Sequence, residues 1–522
     1  MTGTMTETHA PEPLTDTTSP RHWLDTPLSS AMCLLSWLLA TIVFIGVIAA
    51  LGAPTEADAT ESNYAIWAIA HGDVSCAYPA MPTHHVGFLL TYLPVPSTAP
   101  TWPLVGGAIA ALTRIGHSVA FPSTQAMGPN CDKGYELMFH WALHTSAIVP
   151  TTALGYLSWF FLLAGFVALL RAVGRGRSGW EAAGVLLLGV SPVVWFPVLD
   201  LYHPQDIVTM GLVLLALATV VRRRWAWAGV LLALAILSQQ FALLVIAPLI
   251  VLAPGRARWR LVLAALATGL VVTLPLAYLT SGRVWHSILV GTGNTPSFGG
   301  TLLRQLHLHG NFLLVASRVL PIVVAACLAW WVLRRLGPDA LAPVPLISLM
   351  AVCLSLRVVF EENLFGYYFL ALAVMLIVLA VVCGRIRGEL VAWLAMVTLA
   401  YNPVPWGGSL NQNRSWGHPL AVALPEVAIA VALVLLVWDA AHRRVRWYLA
   451  AWLVIALCAF GEWPPWADAI RGSWPPWAWQ LVLLPTGIAL AAWPLGAALR
   501  KARSEPQPEP ELVEADRVVS TV

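Results

Sequence analysis

The sequence predicts an all-α polytopic membrane protein with about 14 transmembrane or half-membrane helices. Three observations support this fold class. Of the 522 residues, 58% are apolar and only 11% are charged, whereas soluble domains average about 25% charged residues. Apolar runs of about 20 residues, the length needed to cross a bilayer, recur along the chain. Short arginine-rich segments separate many of these runs, as in the cytoplasmic loops of multi-pass proteins.

The basic segments set the predicted topology. Placing all of them in the cytoplasm gives a consistent path for the chain, with both termini cytoplasmic and the protein in the plasma membrane. Because the clusters are small and alternate regularly with apolar runs, nucleic acid is not an expected partner. The basic segments are residues 171–177, 222–224, 256–260, 334–335, 385–387 and 443–446.

Composition divides the chain into three parts. Residues 1–27 and 501–522 are polar, rich in acids and proline, and are expected to be disordered cytoplasmic tails. Residues 28–500 form the multi-pass membrane domain. Its first apolar run lacks a cleavage site and predicts a retained anchor. Residues 53–146 form a long polar interruption, which we interpret as the first extracytoplasmic loop.

The apolar run 225–254 has basic residues at both flanks, so a single crossing would violate the charge rule. Two short helices, 226–238 and 240–253, resolve the conflict, with Ser238-Gln239-Gln240 as the tip. Helices of about 14 residues cover about 21 Å and do not cross a core of about 30 Å. The tip is then at membrane depth, where irregular backbone is tolerated only against protein or a wet cavity. The sequence therefore predicts a polar cavity in the outer half of the bilayer.

The other predicted spans follow from length and hydropathy. They are residues 29–52, 147–171, 179–198, a fourth span that ends at the basic segment 222–224, and then 259–280, 313–334, 340–359, 364–384, 389–404, 420–440, 447–461 and 477–499.

Three acids follow the first span: Glu56, Asp58 and Glu61. Carboxylates this close to hydrocarbon are costly unless water, a partner or a substrate holds them. A Glu-x-Asp pair there could supply a general base or a metal ligand. The alternative is a helix start, with Thr55 or Asp58 as N-cap and Glu61 completing a capping box.

A second polar group separates two spans on the same predicted outer side. It contains Asp200, His203, Gln205 and Asp206. Pro204 is suited to the first position of the next helix, which would place Asp206 in a first turn that favours acids. This explains Asp206 but leaves Asp200 and His203 without a structural role.

Arg304 and Arg357 are outer-side cations that could capture a phosphate, since a guanidinium matches its geometry. For Arg357 an ion pair with Glu361, four residues later, is an equally good interpretation. Cys76 and Cys131 are the two cysteines of the long loop. If that loop faces an oxidising compartment, they are candidates for a disulfide.

These segments resemble the GT-C fold glycosyltransferases, integral membrane enzymes that use polyprenyl-phosphate sugars. The similarity is greatest to actinobacterial polyprenyl-phosphate-mannose-dependent mannosyltransferases and arabinofuranosyltransferases. It rests on Glu56-Ala57-Asp58 in the first outer loop, on His203-Pro204-Gln205-Asp206 before a later span, and on the segment from Arg224 to Arg256. In that segment Gln239 stands where relatives often have lysine. The resemblance covers about residues 30–280.

The resemblance implies an inverting transfer of mannose or arabinofuranose from a polyprenyl-phosphate donor to a cell-envelope glycolipid or glycan. The site would face the extracytoplasmic side, with Asp58 as catalytic base, membrane lipids around the protein and no certain cofactor. Some relatives use a divalent metal ion, so that alternative stays open. The implied donor- or acceptor-binding residues are Glu56, Glu61, Asp200, His203, Gln205, Asp206, Gln239, Arg304 and Arg357.

A transporter or flippase of a lipid-linked envelope precursor is the alternative function. It would need ionisable residues in mid-span to build a path across the membrane. The later spans contain almost none, and the polar residues cluster at the predicted outer face instead, which favours interfacial chemistry.

Overall fold

The computed structural model describes residues 23–51, 57–78, 99–113, 131, 148–199, 202–285, 316–361, 366–401 and 476–504. In these ranges all regular elements are helical, and an isolated bridge joins Pro27 and Ser178. The α-helices are α1 (Ser30–Leu51), α2 (Ala57–Ala70), α3 (Thr101–Leu112), α4 (Ile148–Gly155), α5 (Leu157–Ala172), α6 (Gly179–Gly189), α7 (Pro192–Leu199), α8 (Pro204–Val221), α9 (Trp225–Ile236), α10 (Leu243–Leu252), α11 (Gly255–Leu279), α12 (Leu320–Leu336), α13 (Pro343–Phe360), α14 (Leu370–Val382), α15 (Gly388–Tyr401) and α16 (Pro476–Ser504).

The predicted all-helical fold is confirmed for the described residues, and their long apolar helices are consistent with a multi-pass membrane protein. Six of their helices are long and apolar enough to cross a membrane, and α6 with α7, bent by 48°, make a seventh candidate. Two predicted spans, 420–440 and 447–461, lie outside the described residues, so the count of about 14 stays a prediction. The six are Ala153–Ala172, Pro204–Val221, Gly255–Leu279, Ala316–Leu341, Pro343–Phe360 and Ala478–Ser504.

Several helices present large apolar side chains outward. Leu38 on α1, Leu270 on α11 and Val323 on α12 are each about half exposed or more. Runs of such residues would be unfavourable in water, since burial of apolar surface is the main driving force of folding. A hydrocarbon environment removes that cost, so these faces are suited to contact lipid.

Two helix crossings depend on glycine. A Cβ added at Gly165 of α5 would overlap the carbonyl oxygen of Gly211 of α8. A Cβ at Gly229 of α9 would likewise overlap the carbonyl oxygen of Leu261 on α11. Small residues at such crossings let backbones approach closely, as is usual in membrane helix packing. The first crossing fixes α8 against the core.

A buried acid organises the end of the bundle where α5 ends and α6 begins, which we call the basic end. Glu181 is fully buried on α6 and accepts hydrogen bonds from Trp37 Nε1 (3.2 Å) and the Arg177 amide (2.8 Å). Its Oε2 also lies 3.6 Å from Arg171 Nε. Because the carboxylate is satisfied by charge and by N–H donors, this cluster is explained as a structural one.

The predicted pair of short helices is confirmed as α9 and α10, joined by a 3₁₀ turn at Gln240–Ala242. Protein covers part of the tip, because Ser238 is buried whereas Gln239 and Gln240 are partly exposed. Ser238 Oγ donates to the Gln205 carbonyl oxygen (3.0 Å), and the Thr101 amide and hydroxyl donate to Leu237 O (3.0 Å) and Leu234 O (3.1 Å). The two bonds from Thr101 satisfy backbone carbonyls that the end of α9 leaves without partners. The polar cavity at this depth stays a prediction.

One sequence interpretation needs correction. The stretch 53–146 is interpreted above as a polar interruption, yet residues 101–112 within it form the apolar helix α3. Its glycines allow close packing on α2, since Gly106 and Gly107 lie against Ile66 and Ile69. The segment after α1 therefore contains the helices α2 and α3, and α3 reaches the tip of the α9–α10 hairpin.

Candidate functional site

The candidate site is formed where four elements meet, at the end of the bundle opposite the basic end. These are the start of α8, the last turn of α13, the 3₁₀ turn at the α9–α10 tip and a second 3₁₀ turn at Gly366–Phe369. We call this the site end. The residues that meet there come from distant parts of the chain.

The start of α8 is built by a sharp reversal of the backbone. Tyr202 adopts a positive φ of 61°, a conformation that costs energy for a non-glycine residue. Its hydroxyl donates to the Thr151 carbonyl oxygen, and the His203 amide donates to the Pro197 carbonyl oxygen. Pro204 then occupies the start of α8 and Asp206 its first turn, as predicted. The reversal leaves His203, Gln205 and Asp206 buried.

Arg357, in the last turn of α13, is held on several sides. Its Nη1 lies 3.0 Å from Asp206 Oδ1, and its Nε lies 4.0 Å from Glu361 Oε2. The guanidinium carbon is 4.4 Å from the ring centroid of Phe241 and 4.3 Å from that of Tyr368. The side chains of Arg357 and Asp206 are only 9% and 0% exposed. The predicted pair with Glu361 is present, but the shorter contact is with Asp206.

His203 connects Gln205 to Tyr367 of the second 3₁₀ turn. Its Nδ1 lies 2.9 Å from Gln205 Nε2, and its Nε2 lies 3.2 Å from the Tyr367 hydroxyl. The imidazole also stacks on the Tyr367 ring, with 4.5 Å between centroids. In the neutral tautomer whose Nδ1 accepts from Gln205, Nε2 carries the proton and donates to the tyrosine oxygen. Both ring nitrogens are therefore engaged.

Two adjacent residues of the site have a buried acceptor without a partner. Gln205 Oε1 and Asp206 Oδ2 accept no hydrogen bond in the part of the chain that the structure describes. Leaving such an atom buried and unpaired costs about 1–3 kcal/mol, and more for a charged group. Because most buried polar atoms in proteins are paired, two exceptions side by side are evidence of a functional position.

The residues predicted from sequence fall into three groups. His203, Gln205, Asp206 and Arg357 come together, and Gln239 lies at the hairpin tip, immediately before the 3₁₀ turn that contains Phe241. Outside the described residues lie Glu56, Asp200 and Arg304.

Asp58 and Glu61 are described only by their positions in α2. A helix does begin here, as the alternative interpretation predicted, but α2 starts at Ala57, so Asp58 lies in its first turn and not at the N-cap. That Asp58 and Glu61 belong to the site stays a prediction.

The helix that contains Asp58 and the reversal before α8 share a neighbour. Trp67, on α2, donates from Nε1 to Thr151 Oγ1 at 2.8 Å. The carbonyl oxygen of the same threonine accepts from the Tyr202 hydroxyl. One residue of α4 therefore connects α2 to the turn that presents His203 and Asp206.

A disulfide joins Cys76 and Cys131, with 5.5 Å between their Cα atoms. Arg283, which follows α11, connects the residues around this disulfide to the bundle. It donates from Nε to Tyr78 O (2.7 Å) and from Nη2 to Ser75 O (2.6 Å), and Nη2 lies 3.8 Å from Cys131 Sγ. Arg283 therefore has a structural role.

The sequence analysis missed the aromatic residues of the site. Phe241, Tyr367 and Tyr368 surround Arg357 and His203, although none has a feature that marks it as functional in isolation. One signal was available, since Tyr367-Tyr368 lies near the start of the predicted span 364–384, a few residues after Arg357 and Glu361. Among the described residues there is no group of three or more His, Cys, Asp or Glu residues placed to hold a metal ion.

The sequence model of glycosyltransferase family 87 matches residues 137–360. The match includes α4 to α13, and with them His203, Gln205, Asp206 and Arg357. Comparison with curated proteins and with solved structures gave no match. The family match, together with the long apolar helices, supports a membrane glycosyltransferase.

Proposed function

We propose that this protein transfers a sugar, mannose or arabinofuranose, from a polyprenyl-phosphate donor to a cell-envelope glycolipid or glycan on the extracytoplasmic face of the plasma membrane. The observation that carries the proposal is the match to glycosyltransferase family 87 over residues 137–360. The buried cluster around Asp206 and Arg357 lies inside the matched range and supports it.

The proposed reaction is a single displacement with inversion. The acceptor hydroxyl attacks the anomeric carbon of the donor sugar while Asp58 removes its proton. The new bond joins the acceptor oxygen to the anomeric carbon as the bond from that carbon to the phosphate oxygen breaks. The electron pair leaves with the polyprenyl phosphate. The position of Asp58 in the first turn of α2, shortly after α1 in the sequence, supports this role.

The leaving phosphate gains negative charge and needs positive charge or N–H donors near it. Arg304, Arg357 and His203 are the candidates that the sequence offers. His203 already uses both ring nitrogens, and Arg357 is near two carboxylates. We therefore assign phosphate stabilisation to Arg304, with a divalent metal ion as the alternative source of charge.

The experiment is a transfer assay with the full-length protein in detergent or nanodiscs. The protein is incubated with labelled polyprenyl-phosphate mannose or arabinofuranose and a membrane-lipid extract, and the products are analysed by mass spectrometry. The proposal predicts a lipid that is heavier by one hexose or one pentose. If proteoliposomes instead show movement of a lipid-linked precursor across the membrane and no new glycosidic bond, the protein is a flippase.

A further inference from the structure

Charge around Arg357 is the first observation. One guanidinium is near two carboxylates, with Asp206 at 3.0 Å and Glu361 at 4.0 Å. The single positive charge of Arg357 is therefore already opposed by two carboxylates. A phosphate brought to the same position would add more negative charge in a buried environment, where like charges repel strongly. The cluster is therefore a poor phosphate site.

The two acceptors without a partner are the second observation. Gln205 Oε1 and Asp206 Oδ2 are acceptors only, so a ligand that satisfies them must donate hydrogen bonds. An ionised phosphate has acceptor oxygens and does not meet this requirement. Sugar hydroxyls do, and a hydrogen bond to an ionised carboxylate is among the stronger kinds.

The neighbours explain why these two atoms stay available. The Gln205 amide nitrogen is used by His203, which leaves Oε1. Arg357 takes Asp206 Oδ1, which leaves Oδ2, and the rings of Phe241 and Tyr368 hold the guanidinium in place. Arg357 is thus placed to orient Asp206.

We propose that Gln205 Oε1 and Asp206 Oδ2 accept hydrogen bonds from hydroxyl groups of the donor sugar, and that Arg357 is a positioning residue for Asp206. The inference rests on the proposed function, because it assigns part of the same site to the sugar. Since neighbouring residues seal both atoms from water in this structure, the sugar reaches them only after the covering residues shift.

The test compares binding of two probes to the full-length protein in detergent: a polyprenyl phosphate without sugar, and the same lipid with mannose. The Asp206→Asn substitution removes the carboxylate. It should lower the affinity for the mannose-bearing lipid on the order of 10-fold or more and leave the affinity for the sugar-free lipid unchanged. Gln205→Met, which lacks the acceptor, should reduce the same sugar-dependent difference. Asp339→Asn, at an exposed acid in the described chain, is the matched control.

Each other outcome has a definite meaning. If Asp206→Asn or Arg357→Lys lowers the affinity for both lipids equally, the cluster binds phosphate and the inference is overturned. No effect on either lipid in a variant that stays monodisperse would also overturn it. Weakened binding of a sugar-bearing acceptor glycolipid, with donor binding intact, would assign the hydroxyls to the acceptor and refute the donor assignment. If the unmodified protein binds neither probe, the proposed function itself fails.

If Asp206→Asn does not fold, Gln205→Met provides the same comparison without disturbing the ion pair. The Arg357→Lys variant separates positioning from direct contact. Lysine keeps the charge but lacks the planar fork that orients a carboxylate. A positioning role predicts that Arg357→Lys loses affinity for the mannose-bearing lipid only, and that the double variant Asp206→Asn/Arg357→Lys is no weaker than Asp206→Asn alone.

Discussion

Arg357 pairs with Asp206, a residue 151 positions earlier in the chain, at 3.0 Å between Nη1 and Oδ1. The contact joins the last turn of α13 to the first turn of α8. Both side chains are buried, and the carboxylate is fully so. A buried pair of this kind contributes little net stability, because desolvation offsets the attraction, but breaking it is costly. The pair therefore specifies how the two helices meet.

Replacing Arg357 by methionine should destabilise the protein by about 3–5 kcal/mol, because Asp206 would be left as an uncompensated buried charge. The double variant Asp206→Asn/Arg357→Met should recover much of that loss. Denaturant or thermal unfolding in detergent gives the comparison. Equal destabilisation in the single and double variants would contradict a direct coupling between the two residues.

The close crossing of α5 and α8 should not tolerate a side chain. Gly165→Ala places a methyl group against the carbonyl oxygen of Gly211, and we expect a loss of about 2 kcal/mol or more. Gly269→Ala on α11 is the control, because nothing lies within 4 Å of its added Cβ. That variant should be neutral or slightly stabilising, since alanine favours helix by up to about 1 kcal/mol. Similar melting temperatures for both variants would rule out the crossing as described.

Removing the Cys76–Cys131 disulfide should loosen the residues around it, which Arg283 connects to the bundle. The free energy of unfolding should fall by a similar amount, roughly 2–4 kcal/mol, in Cys76→Ser, in Cys131→Ser and in the double variant, because the same bond is lost in each case. Thermal unfolding and limited proteolysis of the segment between the cysteines measure the effect. Cys327→Ser, at an exposed free cysteine of α12, is the control and should behave as the unmodified protein does. A larger loss in the double variant than in either single variant would argue against the pairing.

The contact between α3 and the α9–α10 hairpin should contribute modestly. Thr101→Val removes the hydroxyl that donates to Leu234 O and leaves the backbone bond to Leu237, so we expect a loss of about 1 kcal/mol. Thr113→Val, at the other end of α3, removes an exposed bond to the carbonyl of Ile109 in the same helix and serves as control. The difference between the two unfolding free energies is the quantity to compare, and a zero difference would contradict the docking of α3 on the tip.

Local patterns predicted much of the fold. The arginines on both sides of 225–254 were sufficient to predict the α9–α10 pair, because charge near span ends constrains topology. Pro204 was sufficient to place Asp206 in a first helical turn, because proline is favoured at the start of a helix. Each signal lies at the boundary of the element that it specifies.

The contacts within the site could not be predicted from local sequence patterns. The spacing of Arg357 and Glu361 pointed to a pair within one helix, but the shorter contact is with Asp206 on another helix. The bend of 48° between α6 and α7 and the helix α3 were also missed. These features depend on packing between distant elements, which overrides local preference.

The most direct test of the account is sugar transfer by Asp58→Asn. Equal amounts of the variant and the unmodified protein are incubated with a labelled polyprenyl-phosphate sugar and an acceptor lipid extract, and the products are analysed by mass spectrometry. Their melting temperatures are measured first and must agree, so that a loss of transfer is not a loss of folding. Asp339→Asn is the control for removing an acid. The account predicts a glycosylated lipid from the unmodified protein and from Asp339→Asn, and at least about 100-fold less from Asp58→Asn, as expected when a general base is removed. Full transfer by Asp58→Asn, or no transfer by the unmodified protein with either sugar, would contradict it.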